Sequence, residues 1–240
     1  MIEKLDILAF GAHPDDVELS CAGTILKHVS KGYRVGVIDL TQGELGSRGN
    51  VTSRYEEATA AAKVMGIHHR SNLKMKDGWF EINEVNKRKV IEQIRRFKPE
   101  IVLANALSDR HPDHGRGGEL VAEACYLAGL PKIETEFEGE KQEAWRPKSV
   151  YHYVQDYYVD PDFVIDVSPF VEGKITAIKA YKTQFYDPNS NEPKTPISGE
   201  DFFDFIKARM INYGRPAGFN FAEGYTVNRF IGVDSLFDIK

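Results

Sequence analysis

Cysteine is almost absent from this chain: of 240 residues only Cys21 and Cys125 carry a thiol. Both sit in stretches of helical spacing beside Ala and Leu, where such a residue acts as a small buried hydrophobe, so a disulfide framework is excluded. Long apolar runs are missing too, and no segment is long enough to cross a bilayer as a helix. The opening Met1-Ile2-Glu3-Lys4-Leu5-Asp6 has neither the basic start nor the apolar core of a signal peptide, which places the protein in the cytoplasm. An excess of cations is missing as well. The 31 Lys and Arg stand against 36 Asp and Glu, a net charge of -5, so no overall basic field exists to hold nucleic acid or an anionic membrane. Repeats, heptads and low-complexity tracts are absent. What these absences leave is one domain over residues 1–240 with a small polar substrate.

What is present alternates between strand and helix. Leu5-Asp6-Ile7-Leu8-Ala9-Phe10 reads as a strand, Gly11-Ala12 as a sharp turn, and Val17 to Val29 as a helix with one apolar face. Arg34 to Leu40 reads as a second buried strand, so the opening forms a strand-helix-strand unit and the sheet is parallel there. A Gly-, Ser- and Asn-rich loop from Thr41 to Thr52 precedes an Ala-rich helix over about 53–65. A helix over 87–97 leads into a third strand, Ile101 to Asn105, and a further helix follows Gly117. Late strands are expected at Val150–Val154 and Phe163–Val167, then a helix through about Thr183 and a loop from Phe185 to Gly199. The fold class is α/β, a mostly parallel sheet flanked by helices.

Two short clusters carry the chemistry: Ala12-His13-Pro14-Asp15-Asp16 and Asp109-Arg110-His111-Pro112-Asp113-His114. Each follows the end of an apolar run, and in an open α/β sheet ligands bind outside the carboxyl ends of the strands. His13 and Asp16 stand three apart across a tight turn into a helix, so both can face one point, and His114 can complete the set from the neighbouring strand end. Two imidazoles and one carboxylate are the ligands of catalytic zinc sites that keep a position open for water. Zinc fits best, while iron, cobalt and manganese accept the same donors. Asp15 is then free to act as general base. His111 suits an electrophile, an imidazolium facing a developing oxyanion, with Asp113 or Asp109 to hold its ring.

A single His-Pro-Asp in a loop is ordinary turn chemistry, because Pro fixes the backbone and Asp bonds nearby amides. Two on adjacent strand ends argue for a site. Glu18 is read as a helix-capping or exposed residue as readily as a site residue. Arg48, Arg54 and Arg110 sit in or beside the loops above the same edge, where guanidinium groups could bind carboxylates. His28, His68, His69 and His152 lack carboxylates around them and are not read as ligands. Trp79, Phe80, Tyr151, Tyr153, Tyr157 and Tyr158 are read as core or subunit contact rather than a stacking platform.

The paired His13-Pro14-Asp15-Asp16 and His111-Pro112-Asp113-His114 resemble the motifs of the LmbE-like, or PIG-L-like, family of metal-dependent de-N-acetylases. The resemblance runs over nearly the whole chain. It implies a Rossmann-like fold and removal of acetyl from N-acetylglucosamine conjugates. Asp39 to Gly46, Tyr181 to Pro188 and Tyr225 to Phe230 are similar to the bacillithiol biosynthesis branch, whose substrate is the malate glycoside of N-acetylglucosamine. By position the family's ligands fall on His13, Asp16 and His114, its base on Asp15, its oxyanion-stabilising histidine on His111 with Asp113 behind it, and a substrate-contacting arginine on Arg54. Arg48 and Arg110 are added here as candidate substrate contacts. The resemblance also implies a homo-oligomer, commonly a hexamer. Two rivals stand beside this reading: the same chemistry on an inositol glycoside or chitin fragment, and a non-catalytic carbohydrate- or metal-binding module.

Overall fold

A computed structural model describes residues 4–239 of the chain; Met1 to Glu3, the first half of the segment weighed above against a signal peptide, lie outside the described residues. The elements run β1 (Ile7–Gly11), α1 (Asp16–Ser30), β2 (Val35–Thr41), α2 (Val51–Met65), β3 (His69–Met75), α3 (Glu84–Phe97), β4 (Ile101–Ala104) and α4 (Pro112–Ala128). A small hairpin of β5 (Glu136–Phe137) and β6 (Glu140–Lys141) follows, then β7 (Ser149–Tyr153), β8 (Phe163–Asp166), α5 (Val171–Lys179), α6 (Phe202–Gly214) and β9 (Ala222–Thr226). Seven strands form one sheet in the order β3-β2-β1-β4-β7-β9-β8. The pairings from β3 to β7 are parallel, and β9 runs antiparallel to both β7 and β8. The expected mostly parallel sheet is therefore present, with an antiparallel insertion near one edge. Among the described residues no helix is long and apolar enough to cross a membrane.

Period-two alternation assigns β1 to both faces. Leu8 and Phe10 pack with α3 and α4, through residues such as Val90, Ile94 and Leu120. Ile7 and Ala9 pack with α1 through Val17, Cys21 and Ile25. A strand buried on both sides reads as a continuous apolar run, which is why β1, β2 and β4 are visible in the sequence. The chain winds from β1 outward through β2 and β3, then returns to the other side of β1 at β4, so the ends of β1 and β4 flank the point where strand order reverses. That is where an α/β sheet opens a crevice. Gly118 lets α4 approach it: a Cβ there would stand 2.5 Å from the Asn105 carbonyl oxygen.

α1 is two helical pieces in series. Cys21 leaves helical geometry (φ -135°, ψ 17°), and the amides of Gly23 and Thr24 donate to the two oxygens of Glu223 on β9, at 2.9 and 2.7 Å. Lys174 of α5 donates to the same carboxylate at 2.6 Å, and both side chains are fully buried. The carboxylate caps the second piece of the helix, the site that a free helix N-terminus would otherwise leave to water.

Candidate active site

At the end of β1, Gly11 and Ala12 carry the chain into a turn in which the His13 amide donates to Asp16 Oδ2 at 3.0 Å and the Asp16 amide to the His13 carbonyl at 3.3 Å. Between them Asp15 takes φ 118°, a conformation that costs a residue with a Cβ about 1–3 kcal/mol. At the end of β4, His111 is extended, Pro112 begins α4, and His111 Nδ1 accepts the Asp113 amide at 3.2 Å, an ordinary helix cap.

These turns bring His13, His111 and His114 together. His111 lies 4.7 Å from the His13 ring and 5.2 Å from the His114 ring, and donor atoms of all three histidines fall within 4.8 Å of one another. Asp16 completes the expected set: Oδ1 is 3.1 Å from His114 Nε2, and Oδ2 is 3.7 Å from His13 Nδ1. Ligands about 2.0–2.1 Å from a tetrahedral metal lie about 3.3 Å from one another, so these separations suit a shared cation. The far side of each ring makes the same point. His13 Nε2 meets Asp77 Oδ1 at 3.0 Å, and His114 Nδ1 meets Asp109 Oδ2 at 2.5 Å. A carboxylate on the outer nitrogen leaves the inner one as the ligand and fixes the ring, the arrangement found around metal-binding histidines. Asn105 donates to Asp16 Oδ2 at 2.9 Å and so orients the third ligand. A second grouping, His13 with Asp77 and Asp113, uses the outer nitrogen of His13. It lacks a second imidazole.

Electrostatics sort the groups by role. Burial, only partly offset by Arg54, pushes the Asp15 carboxyl up to about 7, in the range of a group that gains and loses a proton near neutrality. Against the burial that opposes it, Asp16 and Asp109 lift His114 to about 9. His13 is likewise raised, by the carboxylates of Asp113, Asp16 and Asp77 acting against its burial. His111 moves the other way: burial and then the neighbouring His13 and His114 lower it.

Several sequence-based assignments change. The Asp113 carboxylate does not hold the His111 ring. It binds the Gly78 amide at 2.7 Å and Arg116 at 2.6 Å and stands 3.4 Å from His13 Nε2, because the first turn of α4 points it beneath the site. Asp109 orients His114 rather than His111. His111 Nδ1 accepts an amide, which leaves Nε2 to face the crevice, and burial with the neighbouring histidines lowers its pKa, a direction that disfavours the expected imidazolium. Arg54 is buried; its Nη2 donates to the Pro14 carbonyl and lies 3.3 Å from Asp15 Oδ2, so it holds the base instead of reaching outward. Arg48 is also buried, donating to Ser190 Oγ at 2.9 Å while its carbonyl accepts from Gln184, which ties the 183–192 segment to the loop after β2. Arg110 alone of the three faces a cleft beside Asp16 and His114, with Nε on Asp156 at 2.8 Å. Glu18 is fully buried, accepting from Arg70 and, at 3.1 Å, from the Tyr181 hydroxyl, while Arg70 also grips Asp39 with two bonds of 2.9 Å. Of the aromatics read as core or subunit contact, Trp79, Tyr157 and Tyr158 are exposed, which removes the core alternative for these three. The residues that sequence reading passed over are Asp77, Asn105 and Arg70. Only a carboxylate after a strand end, as in Met75-Lys76-Asp77-Gly78, could have signalled the first.

Comparison with known proteins agrees with this geometry. A family model described as PIG-L, GlcNAc-PI de-N-acetylase, matches residues 8–125, which contain both clusters. The chain is 26% identical to the diacetylchitobiose deacetylase of Thermococcus kodakarensis, over 91% of this chain and 81% of that one. It is 27% identical to the probable N-acetyl-alpha-D-glucosaminyl L-malate deacetylase 2 of Bacillus anthracis, over 77% of this chain and 84% of that one. Among solved structures, a conserved protein of Thermus thermophilus superposes with a TM-score of 0.85 at 31% identity, covering 96% of this chain and 98% of that chain. With the paired motifs on the ends of β1 and β4 and this likeness along the chain, the protein belongs to the PIG-L, or LmbE-like, family of de-N-acetylases.

Proposed function

We propose that this protein is a metal-dependent hydrolase that removes the acetyl group from an N-acetylglucosamine conjugate, with N-acetylglucosaminyl malate, the bacillithiol-branch substrate, as the finer reading. The observation that carries the proposal is the pair of histidines, each with one nitrogen towards Asp16 and the other on an outer carboxylate, next to a buried Asp15 raised to about 7. A divalent cation held by His13, Asp16 and His114, zinc being the reading from the donor set, supplies Lewis acidity towards water and the amide carbonyl.

The chain's own groups do the rest. Asp15 takes the proton of the attacking water as its oxygen bonds to the acetamide carbon, and Arg54 keeps that carboxylate in place. His111, fixed by the amide on Nδ1, presents its Nε2–H to the carbonyl oxygen as negative charge gathers there. Asp15 then returns the proton to nitrogen, the C–N bond breaks, and acetate and the free amine leave. Asp113 acts beneath this layer, through His13, Gly78 and Arg116. A non-catalytic binding module has no use for a strained, buried carboxylate beside the ligands.

The test is acetate release by metal-loaded protein on N-acetylglucosaminyl malate, free N-acetylglucosamine, the inositol glycoside and diacetylchitobiose, each with and without chelator. Chelator-sensitive release is expected, fastest on the malate conjugate. Faster release from another conjugate keeps the chemistry and discards the branch. Silence on all four substrates from protein that retains its metal overturns the proposal.

A further inference from the structure

α6 forms one wall of a narrow cleft whose other walls are the starts of α1 and α4. The cleft is lined by Asp16, His114, Arg110, Gln155, Phe205 and Arg209, and its volume is about 40 Å³. That is room for a carboxylate and not for a second sugar ring. Arg209 is half-buried, its guanidinium carbon 5.4 Å from the Phe205 ring centroid. Among the described residues it has no hydrogen-bond acceptor and no ion-pair partner. The nearby carboxylates are engaged elsewhere. Asp109 accepts from the amides of Asp156 and Tyr157 at 2.9 and 2.8 Å and meets His114, and Asp156 accepts from Arg110. A half-buried guanidinium with no protein acceptor keeps its donors free for an anion entering the cleft, and the partly apolar wall strengthens the pairing relative to open water.

We propose that Arg209, with Arg110 across the cleft, forms an anion subsite that takes a carboxylate on the aglycone of the substrate. Arg209 is then a specificity-determining residue that favours acidic conjugates over neutral ones. The inference rests on the deacetylase reading above and goes beyond it: because Asp16 and His114 line the same cleft, the bound anion sits next to the reacting acetamide. A neutral aglycone, such as a second N-acetylglucosamine unit, leaves the guanidinium unpaired. Planar, two-pronged donation suits a carboxylate, and lysine would replace it only in part.

The experiment has two arms, both on the full chain. In the first, kcat and KM are measured for N-acetylglucosaminyl malate and for diacetylchitobiose with the parent protein, Arg209→Gln and Arg209→Lys, with thermal melting as a check on folding. The ratio of kcat/KM between acidic and neutral substrate is expected to fall about 10- to 100-fold in Arg209→Gln, mostly through KM, with partial recovery in Arg209→Lys. In the second, binding of L-malate to metal-free protein is followed by calorimetry, and Arg209→Gln should abolish it. An unchanged ratio in a folded, active variant, or no malate binding by the parent protein, overturns the inference. Arg209-dependent malate binding by a parent protein that deacetylates nothing upholds the anion subsite while the deacetylase reading fails.

Discussion

At the end of β1 the chain enters its helix through Asp15 at φ 118° with no side-chain cap, whereas at the end of β4 it enters through an extended His111 that accepts an amide, followed by proline. The two turns deliver comparable side chains to one crevice by opposite means. The second is a helix start that many sequences would adopt, and its histidine serves both the backbone and the site. The first is strained, and what over-determines it is visible: the reciprocal bonds between His13 and Asp16, and Arg54 on Pro14 and Asp15. Strain stored at one turn marks where a group is held against its own preference, here a carboxylate kept buried and poised near neutral pH.

The comparison can be broken most severely at the base. Asp15→Asn keeps the shape of the turn and removes the proton acceptor, and is expected to lower acetate release about 100- to 10,000-fold with metal content unchanged; activity within tenfold of the parent protein would end the assignment. A smaller effect is expected one layer out. Asp77→Asn and Asp109→Asn each free the outer nitrogen of one histidine, and each should weaken metal binding about 10- to 100-fold in a competition with a chelating dye. Loss in only one of the two would mean that the clusters do not hold the cation as equals. The smallest effect concerns stability alone. In metal-free protein, Asp15→Gly relieves the turn and should raise the unfolding free energy by about 1 kcal/mol, whereas His111→Ala loses a helix cap and should lower it by about 0.5–2 kcal/mol, both read from urea midpoints. Shifts of the same sign would sink the contrast.

How much of this was legible in the sequence follows from where each residue is buried. β1, β2 and β4 are covered on both faces and announce themselves as apolar runs. β3, His69-Arg70-Ser71-Asn72-Leu73-Lys74-Met75, is an edge strand whose polar side chains bond sideways, and nothing in its pattern separates it from a loop. β9 was hidden in the same way, since it holds Gly224 and the buried Glu223. In the site, the spacing of His13, Asp16 and His114 was readable because short turns fix it. Which carboxylate stands behind which histidine was not, because Asp77 reaches His13 across 64 positions and Asp109 turns towards His114 rather than His111. The arginines show the limit most clearly: type and place in the sequence were right for cations near the site, but burial turned Arg48 and Arg54 inward, while Arg209, on a helix the sequence reading did not mark, faces the cleft.

The broken helix α1 has a consequence in time. Its second half begins on Glu223, 200 positions after Gly23, so the helix that starts at Asp16 is completed by the last strand among the described residues. A nascent chain emerging from the ribosome can pair β1 with β2, yet Gly23 and Thr24 wait for their acceptor until β9 arrives. Contacts so distant in the chain form late and slowly. The helix of the first motif therefore gains its internal cap only after β9 has been synthesised and has joined the sheet.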